Sequence, residues 1–353
     1  MGQMYSLEEL AAKPEYYLNE VDLGAGEYGF LKLDSKAYRR SVFMDHRLRS
    51  EIQDSMHVPM VAMEAMVLNM QTASSQAEPI NYIFHTAFCC STLISRCLDI
   101  EGTCYALREP SVLMQIANYK RAGNPFFTDG VRWETLLNTV LFLLAKSRGA
   151  GEIALIKPTN AANNLAEEIM GNPRTGGVLL LYSNLEQFLV SIIKKGEGGR
   201  GFVRKLFNVI RTDSERTSTL PVESLAQLTD LQIATFVWYL QMDAYLKLLA
   251  RFPNTRIRTL DCNVFLAEPL EILIKLCDLF GIKIKMETLE EVVAGPVLKK
   301  YSKNDAQDYD SSVRETEYDQ ISREHQATIK SILAWSEQIR PEGPVRLPLP
   351  RAL

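Results

Sequence analysis

Asn81-Tyr82-Ile83-Phe84-His85-Thr86-Ala87-Phe88-Cys89-Cys90-Ser91-Thr92-Leu93-Ile94-Ser95-Arg96-Cys97-Leu98-Asp99 is the stretch on which the reading of this chain turns. Tyr82 to Phe84 form a short β-rich apolar run, and Leu93, Ile94, Cys97 and Leu98 recur at helical spacing. The six residues Ala87 to Thr92 between them read as a tight loop. In a strand, loop and helix of this kind, backbone N–H groups at the helix start converge on an anion. Ser91 and Thr92 add hydroxyl donors there, so the loop reads as a phosphate cradle. No G-x-x-x-x-G-K-[ST] is present, which argues against an ordinary P-loop kinase or ATPase. The plainer alternative is a buried first strand followed by a serine-rich helix start.

Downstream of this stretch, strands and helices alternate. The predicted strands are Tyr82–His85, Cys104–Leu107, Glu152–Ile156, Val178–Tyr182 and Arg256–Leu260, short apolar runs of the type found in buried parallel sheets. Helical patterns cover Thr92–Asp99, Arg132–Lys146, Ala161–Met170, Glu186–Lys194, a long Val222–Arg251, Glu268–Phe280 and Val313–Ile339. Upstream, a helix is predicted near Leu7–Ala12 and β-structure near Tyr28–Leu33, with Gln71–Glu78 as a connector. The expected fold class is α/β, a P-loop-type three-layer fold with a central parallel sheet and helices on both faces. Residues 1–78 are expected to form an N-terminal extension packing on the main domain. Residues 79–340 are expected to form the α/β domain, and 341–353 a Pro-rich tail.

The bulk properties agree with this. At 353 residues the chain has ample length for a core, and its apolar (46%) and charged (23%) fractions are those of soluble globular proteins. A net charge of −4 gives no global attraction to nucleic acid or anionic membrane, so neither is an expected partner. No apolar run approaches the ~20 residues of a membrane span, and no secretory signal is visible. The match of Met1-Gly2…Ser6 to a myristoylation pattern is read as chance. Cys89, Cys90, Cys97, Cys104, Cys262 and Cys277 lack C-x-x-C spacing, and the four histidines are scattered. No metal site is therefore expected, and reduced thiols suit a cytoplasmic protein.

Parallel α/β sheets bind ligands at the carboxyl ends of their strands. Here those ends carry the Cys89–Thr92 loop, Arg108-Glu109-Pro110, Lys157-Pro158-Thr159-Asn160 and Ser183-Asn184, with Ser191 farther along the next helix. A carboxylate can take a hydroxyl proton and a lysine can stabilise a leaving phosphate, which suits transfer of an anionic group. Alternatively, Glu109 caps the following helix and Lys157 lies on the surface.

The order of these pieces resembles the sulfotransferase family, which uses 3′-phosphoadenosine 5′-phosphosulfate (PAPS). Phe88-Cys89-Cys90-Ser91-Thr92-Leu93 occupies the place of that family's 5′-phosphosulfate loop. Ser183 with Ser191 reproduces its eight-residue step at the 3′-phosphate. Arg256-Ile257-Arg258-Thr259-Leu260-Asp261, Glu268-Pro269 and Phe280-Gly281 resemble its late strand, helix and helix ending. The similarity covers residues 80–305. It implies PAPS as cosubstrate, a small-molecule or other acceptor of unspecified identity, and no metal. It implies Glu109 as general base and Lys157 as the cation at the leaving phosphate. Cys89, Cys90, Ser91, Thr92, Ser183, Ser191 and Lys303 become the donor-binding residues.

The chain also departs from the family pattern. Phe88 stands where many members place a basic residue, and Ser183 where the 3′-phosphate arginine belongs. Cys90 replaces a loop glycine, so the backbone there is expected to avoid φ > 0. Each loss removes a charge-assisted contact of about 1.5–3 kcal/mol or the freedom to shape the loop. Lys157, Arg200, Arg204, Lys205 or the basic loop Lys299-Lys300-Tyr301-Ser302-Lys303 are the available substitutes. The basic, glycine-rich stretch Lys194–Arg216 is read as a flexible lid over an anionic ligand, the plainer alternative being a solvated loop and helix face. Two other functions fit the same residues. Cys90 and Arg96 match the C-x5-R spacing of cysteine-dependent phosphatases. A non-catalytic nucleotide- or anion-binding protein of the same fold would account for the substituted loop.

Overall fold

Ser6 opens the first helix, Leu7–Ala12, with a capping box. Its hydroxyl accepts the Glu9 amide and the Glu9 carboxylate reaches back to the Ser6 amide. An antiparallel sheet follows, built from β1 (Tyr16–Asp22), β2 (Glu27–Lys32) and β3 (Ser55–Pro59) in that order. The computed structural model describes residues 5–45, 48, 55–73, 78–124, 129–146, 149, 151–218, 221–253, 255–301, 304–308, 311–340 and 343–353.

The five predicted strands are present as β4 (Ile80–His85), β5 (Cys104–Arg108), β6 (Ile153–Lys157), β7 (Thr175–Tyr182) and β8 (Ile257–Asp261). They form one parallel sheet of order β5-β6-β4-β7-β8, flanked by helices, which is the α/β class the sequence predicts. Every residue of β4 and β5 is buried, as parallel strands covered on both faces require. Asn81 is the polar exception inside β4. Its Oδ1 accepts the Gly177 amide at 2.7 Å and its Nδ2 donates to the Phe280 carbonyl at 3.1 Å. A Cβ at Gly176 would stand 2.7 Å from that Oδ1, so glycine there makes room for the amide.

The chain divides into two compact units. One comprises Met1–Ile83, Ser95–Val178 and Phe280–Ile284, and the other Phe84–Ile94, Leu179–Leu279 and Lys285–Leu353. In the first, the N-terminal segment is bound by buried cations. Arg108, 1% exposed, pairs with Asp99 at 2.8 Å and donates to the carbonyls of Tyr38, Arg39 and Ser41. Lys146 donates to the carbonyls of Leu10 and Tyr16. Ser111 and Gln115 on the helix Ser111–Arg121 hold the Asn19 carbonyl of β1.

In the second unit, the long helix expected over Val222–Arg251 is divided into Val222–Ala226 and Asp230–Arg251. The break falls at Thr229, which caps the second helix in a reciprocal box with Gln232. The pattern over Val313–Ile339 is likewise two helices, Ser311–Glu324 and Gln326–Gln338. The expected flexible lid is instead largely the helix Gly196–Ile210, whose Val203, Leu206, Phe207 and Ile210 are buried. A Cβ on Gly199 would lie 2.5 Å from the Ile192 carbonyl, so that glycine permits close backbone approach. Leu349 and Ala352 of the Pro-rich segment dock on β8, where Ala352 forms a parallel bridge with Thr259.

Candidate functional site

In the second unit, the segment after β4 leaves the middle strand of the sheet at its carboxyl end, the position where α/β sheets take ligands. Its backbone is left-handed at three residues that are not glycine: Ala87 (φ +69°), Phe88 (+50°) and Cys90 (+59°). The expectation that Cys90 avoids φ > 0 is therefore corrected. Such a conformation costs on the order of 1–3 kcal/mol per residue and persists only where the surroundings impose it.

Here the surroundings are well defined. The Thr86 amide donates to Leu181 O at 3.2 Å, and the Ala87 amide to His85 Nδ1 at 3.2 Å. The Cys89 thiol donates to the same Leu181 carbonyl at 3.7 Å. From the helix Asp230–Arg251, Gln241 Nε2 reaches Thr86 O at 3.2 Å and Trp238 Nε1 reaches Ser183 O at 2.8 Å. The Cys90 carbonyl then accepts the Ile94 amide at 3.0 Å, opening the helix Ser91–Cys97. Left-handed residues mixed with ordinary ones turn successive N–H groups to one side, making a concavity suited to an anion. The amides of Phe88 and Ser91 have no acceptor among the described residues.

Side chains complete the loop. Cys89, Ser91 and Thr92 are buried, whereas Phe88 and Cys90 are partly exposed. The Phe88 ring packs on Phe188 (5.6 Å between centroids) and Phe202 (5.3 Å), with the Lys195 ammonium 5.9 Å from its centroid. Where a loop cation is expected, this chain thus has an aromatic cluster bordered by a lysine. A hydrogen bond with the Cys90 thiol, then burial, then the nearby charge of Cys90, Cys89 and Asp261, hold the Cys262 thiol well above its ordinary range.

Ser183 is completely buried and its Oγ has no hydrogen-bond partner among the described residues. Ser191 is half-buried on the helix Leu185–Lys194, its carbonyl engaged by the Lys195 amide. Lys303 lies outside the described residues. Arg200 and Arg204, offered above as substitute cations, both pair with Asp230. Residues 91–97 are helix, so the wrapped loop that a C-x5-R phosphatase needs is not formed between Cys90 and Arg96.

In the first unit, Lys157 is the last residue of β6 and Glu109 follows the last residue of β5. Their side chains form an ion pair of 2.6 Å, and the Glu109 amide donates to the Lys157 carbonyl at 2.7 Å. The Lys157 side chain is fully buried, its ammonium 5.6 Å from the Phe43 ring centroid, whereas the Glu109 side chain is 23% exposed. Glu109 is left-handed (φ +55°) and is not the cap of the next helix, whose N-cap is Pro110. Both plainer readings of this pair therefore fail, since Lys157 is no surface residue and Glu109 no cap.

Sequence reasoning missed Trp238, Gln241 and Cys262. Asp261-Cys262 at the end of β8 is the same kind of strand-end signal as the other four and was open to detection. Trp238 and Gln241 act through backbone carbonyls, for which residue type gives no cue. Among the described residues, no group of three or more His, Cys, Asp or Glu side chains is placed to hold a metal ion. No helix among them is long and apolar enough to cross a membrane.

No family model matches the chain and no curated protein matches it. Among solved structures, the sulfotransferase domain from the curacin biosynthetic pathway aligns with a TM-score of 0.41 and 12% identity, covering 71% of this chain and 99% of its own. A sulfotransferase from Alicyclobacillus acidocaldarius aligns with a TM-score of 0.34 and 14% identity, covering 75% and 96%. A likeness this distant does not bear on activity or substrate.

Proposed function

We propose that this chain is a sulfotransferase-like cytoplasmic enzyme that moves a sulfuryl group from PAPS to a hydroxyl or amine of a small-molecule acceptor. The observation that carries the reading is the left-handed loop after β4, whose Phe88 and Ser91 amides are available to an anion. Backbone amides from Cys89 to Thr92, with the Ser91 and Thr92 hydroxyls, would hold the 5′-phosphosulfate end. Ser191 and Ser183, whose buried hydroxyl has no partner among the described residues, are the proposed contacts for the 3′-phosphate. When bound, PAPS supplies the sulfuryl group and a phosphate leaving group. In this proposal Glu109 accepts the acceptor's proton on its carboxylate oxygen, and Lys157 offsets charge developing on the departing phosphate.

The Phe88 cluster favours a second reading, an anion-binding protein without transfer chemistry, because the family's loop cation is replaced by packed rings. Calorimetric titration with adenosine 3′,5′-bisphosphate, beside ATP, separates the two when combined with acceptor screening. The transferase reading expects selective bisphosphate binding and labelled-sulfate transfer. Glu109→Gln should then lower turnover by about 10²–10⁴-fold with bisphosphate affinity little changed. Binding without transfer to any acceptor supports the second reading, and absence of nucleotide binding overturns both.

A further inference from the structure

Trp238 and Gln241 stand three residues apart on the helix Asp230–Arg251, a spacing that puts both side chains on one face. Both are buried, and each donates to a backbone carbonyl just past the end of a sheet strand. Trp238 Nε1 reaches Ser183 O at 2.8 Å, one residue past β7. Gln241 Nε2 reaches Thr86 O at 3.2 Å, one residue past β4, and also Val237 O of its own helix at 3.1 Å. β4 and β7 are neighbours in the sheet, so one helix face grips two adjacent strand ends. Trp238, Gln241, Ser183 and Thr86 all belong to the second unit. A peptide group is planar, so a hold on its carbonyl also fixes the direction of the N–H that follows. The Thr86–Ala87 peptide is held on both sides, its carbonyl by Gln241 and its N–H by His85 Nδ1 at 3.2 Å. That peptide leads into the left-handed residues Ala87 and Phe88, and so into the amides proposed for the 5′-phosphosulfate end. Left-handed backbone outside glycine persists only where neighbours impose it, and Gln241 is such a neighbour from outside the loop. Trp238 holds the Ser183–Asn184 peptide in the same way. Ser183 carries the buried hydroxyl without a partner among the described residues, and Asn184 caps the helix Leu185–Lys194 that carries Ser191. Orientation of this one peptide therefore bears on both proposed 3′-phosphate contacts.

We propose that Gln241 and Trp238 are positioning residues that set the aim of the two phosphate subsites, Gln241 acting on the 5′ subsite and Trp238 on the 3′ subsite, an inference that rests on the PAPS reading of the site. Each acts through one backbone carbonyl rather than by touching the nucleotide. Without the Gln241 donor the Thr86–Ala87 peptide is free to turn, and the amides that follow lose their common direction. Without the Trp238 N–H the Ser183–Asn184 peptide is released while the 5′ loop stays held. A side chain that only supported the fold would weaken both subsites alike. The two substitutions therefore separate positioning from bulk stability.

The test is competition calorimetry on the full-length wild type, Gln241→Met and Trp238→Phe with adenosine 3′,5′-bisphosphate, adenosine 3′-phosphate and adenosine 5′-phosphate. The dissociation constant of the 3′-phosphate divided by that of the bisphosphate gives what the 5′-phosphate adds. The same quotient for the 5′-phosphate gives what the 3′-phosphate adds. Gln241→Met should shrink the first ratio about three- to tenfold, the scale of one net hydrogen bond, and leave the second within about twofold. Trp238→Phe should do the reverse. Circular dichroism and thermal melts check that the variants fold, and Gln241→Leu and Trp238→Leu repeat the comparison with other shapes. A wild type that binds no bisphosphate removes the PAPS reading and the positioning roles together. A wild type that binds it, with both ratios unchanged or falling together in each variant, overturns the positioning roles alone. Failure of all four variants to fold would make the two residues supports of the whole fold and would likewise overturn those roles.

Discussion

Lys157 and Glu109 form one ion pair but differ in access to water, and that difference sets what each substitution does. The lysine is sealed while the carboxylate is 23% exposed. Glu109→Leu takes the carboxylate away from a buried ammonium, and breaking a buried pair in this way typically costs about 3–5 kcal/mol. Lys157→Met leaves a carboxylate that hydrates, so its cost should be clearly smaller. The double variant should regain most of the loss while turnover stays abolished in all three. Urea denaturation measures the stabilities, and equal costs for the two single variants would contradict the asymmetry. Asp261 offers a separate test through pH. Burial raises its carboxyl, opposed by the Asn263 amide that it caps. The folded state then binds more protons than the unfolded state between the ordinary carboxylate value, about 4, and the raised one. This group's contribution therefore falls as pH rises through that window. Asp261→Asn keeps the cap acceptor and removes the titration. The stability of wild type relative to variant should decline from pH 4 upward, and a gap constant with pH would refute the assignment.

Among the elements, the helix Gly196–Ile210 shows where composition misleads. Its glycines suggest a mobile loop, but they differ in what surrounds them. Gly199 meets the Ile192 carbonyl, whereas nothing lies within 4 Å of a Cβ at Gly198. Gly199→Ala should destabilise by about 1–3 kcal/mol through overpacking, and Gly198→Ala should stabilise by up to about 1 kcal/mol through lost unfolded-state freedom. Thermal melts of the two variants decide this, and shifts of the same sign would show that the helix is not packed as described. The five sheet strands, by contrast, were legible because a strand buried on both faces must be apolar throughout. Glu109 and Lys157 were legible as strand-end residues. The left-handed turns at Ala87, Phe88 and Cys90 were not, since they are imposed by Leu181, His85 and Gln241, remote in sequence or unremarkable in type. The burial of Ser183 was hidden for the same reason, because spacing along one strand does not reveal what packs over its end.

At the scale of the whole chain, the C-terminal residues bear on the sheet's exposed side. β8 ends the strand order, and an edge strand offers unpaired backbone groups to other molecules. The last residues cover part of that edge. The Thr259 amide donates to Arg351 O at 3.0 Å, Leu353 N returns to Thr259 O at 3.0 Å, and Thr259 Oγ1 donates to Pro350 O at 3.1 Å. The Arg351 guanidinium caps the carbonyls of Leu249 and Phe252 where the helix Asp230–Arg251 ends. Tyr182 OH accepts the buried Leu349 amide at 3.0 Å. Tyr182→Phe strands that amide and should cost about 1–3 kcal/mol while the edge stays covered. A chain ended at Arg340 should lose more and should also self-associate, because β8 is then open. Sedimentation velocity over a range of concentrations separates the two effects. A truncated chain that stays monomeric, with the stability of Tyr182→Phe, would show that the terminal residues brace this part of the fold without guarding its edge.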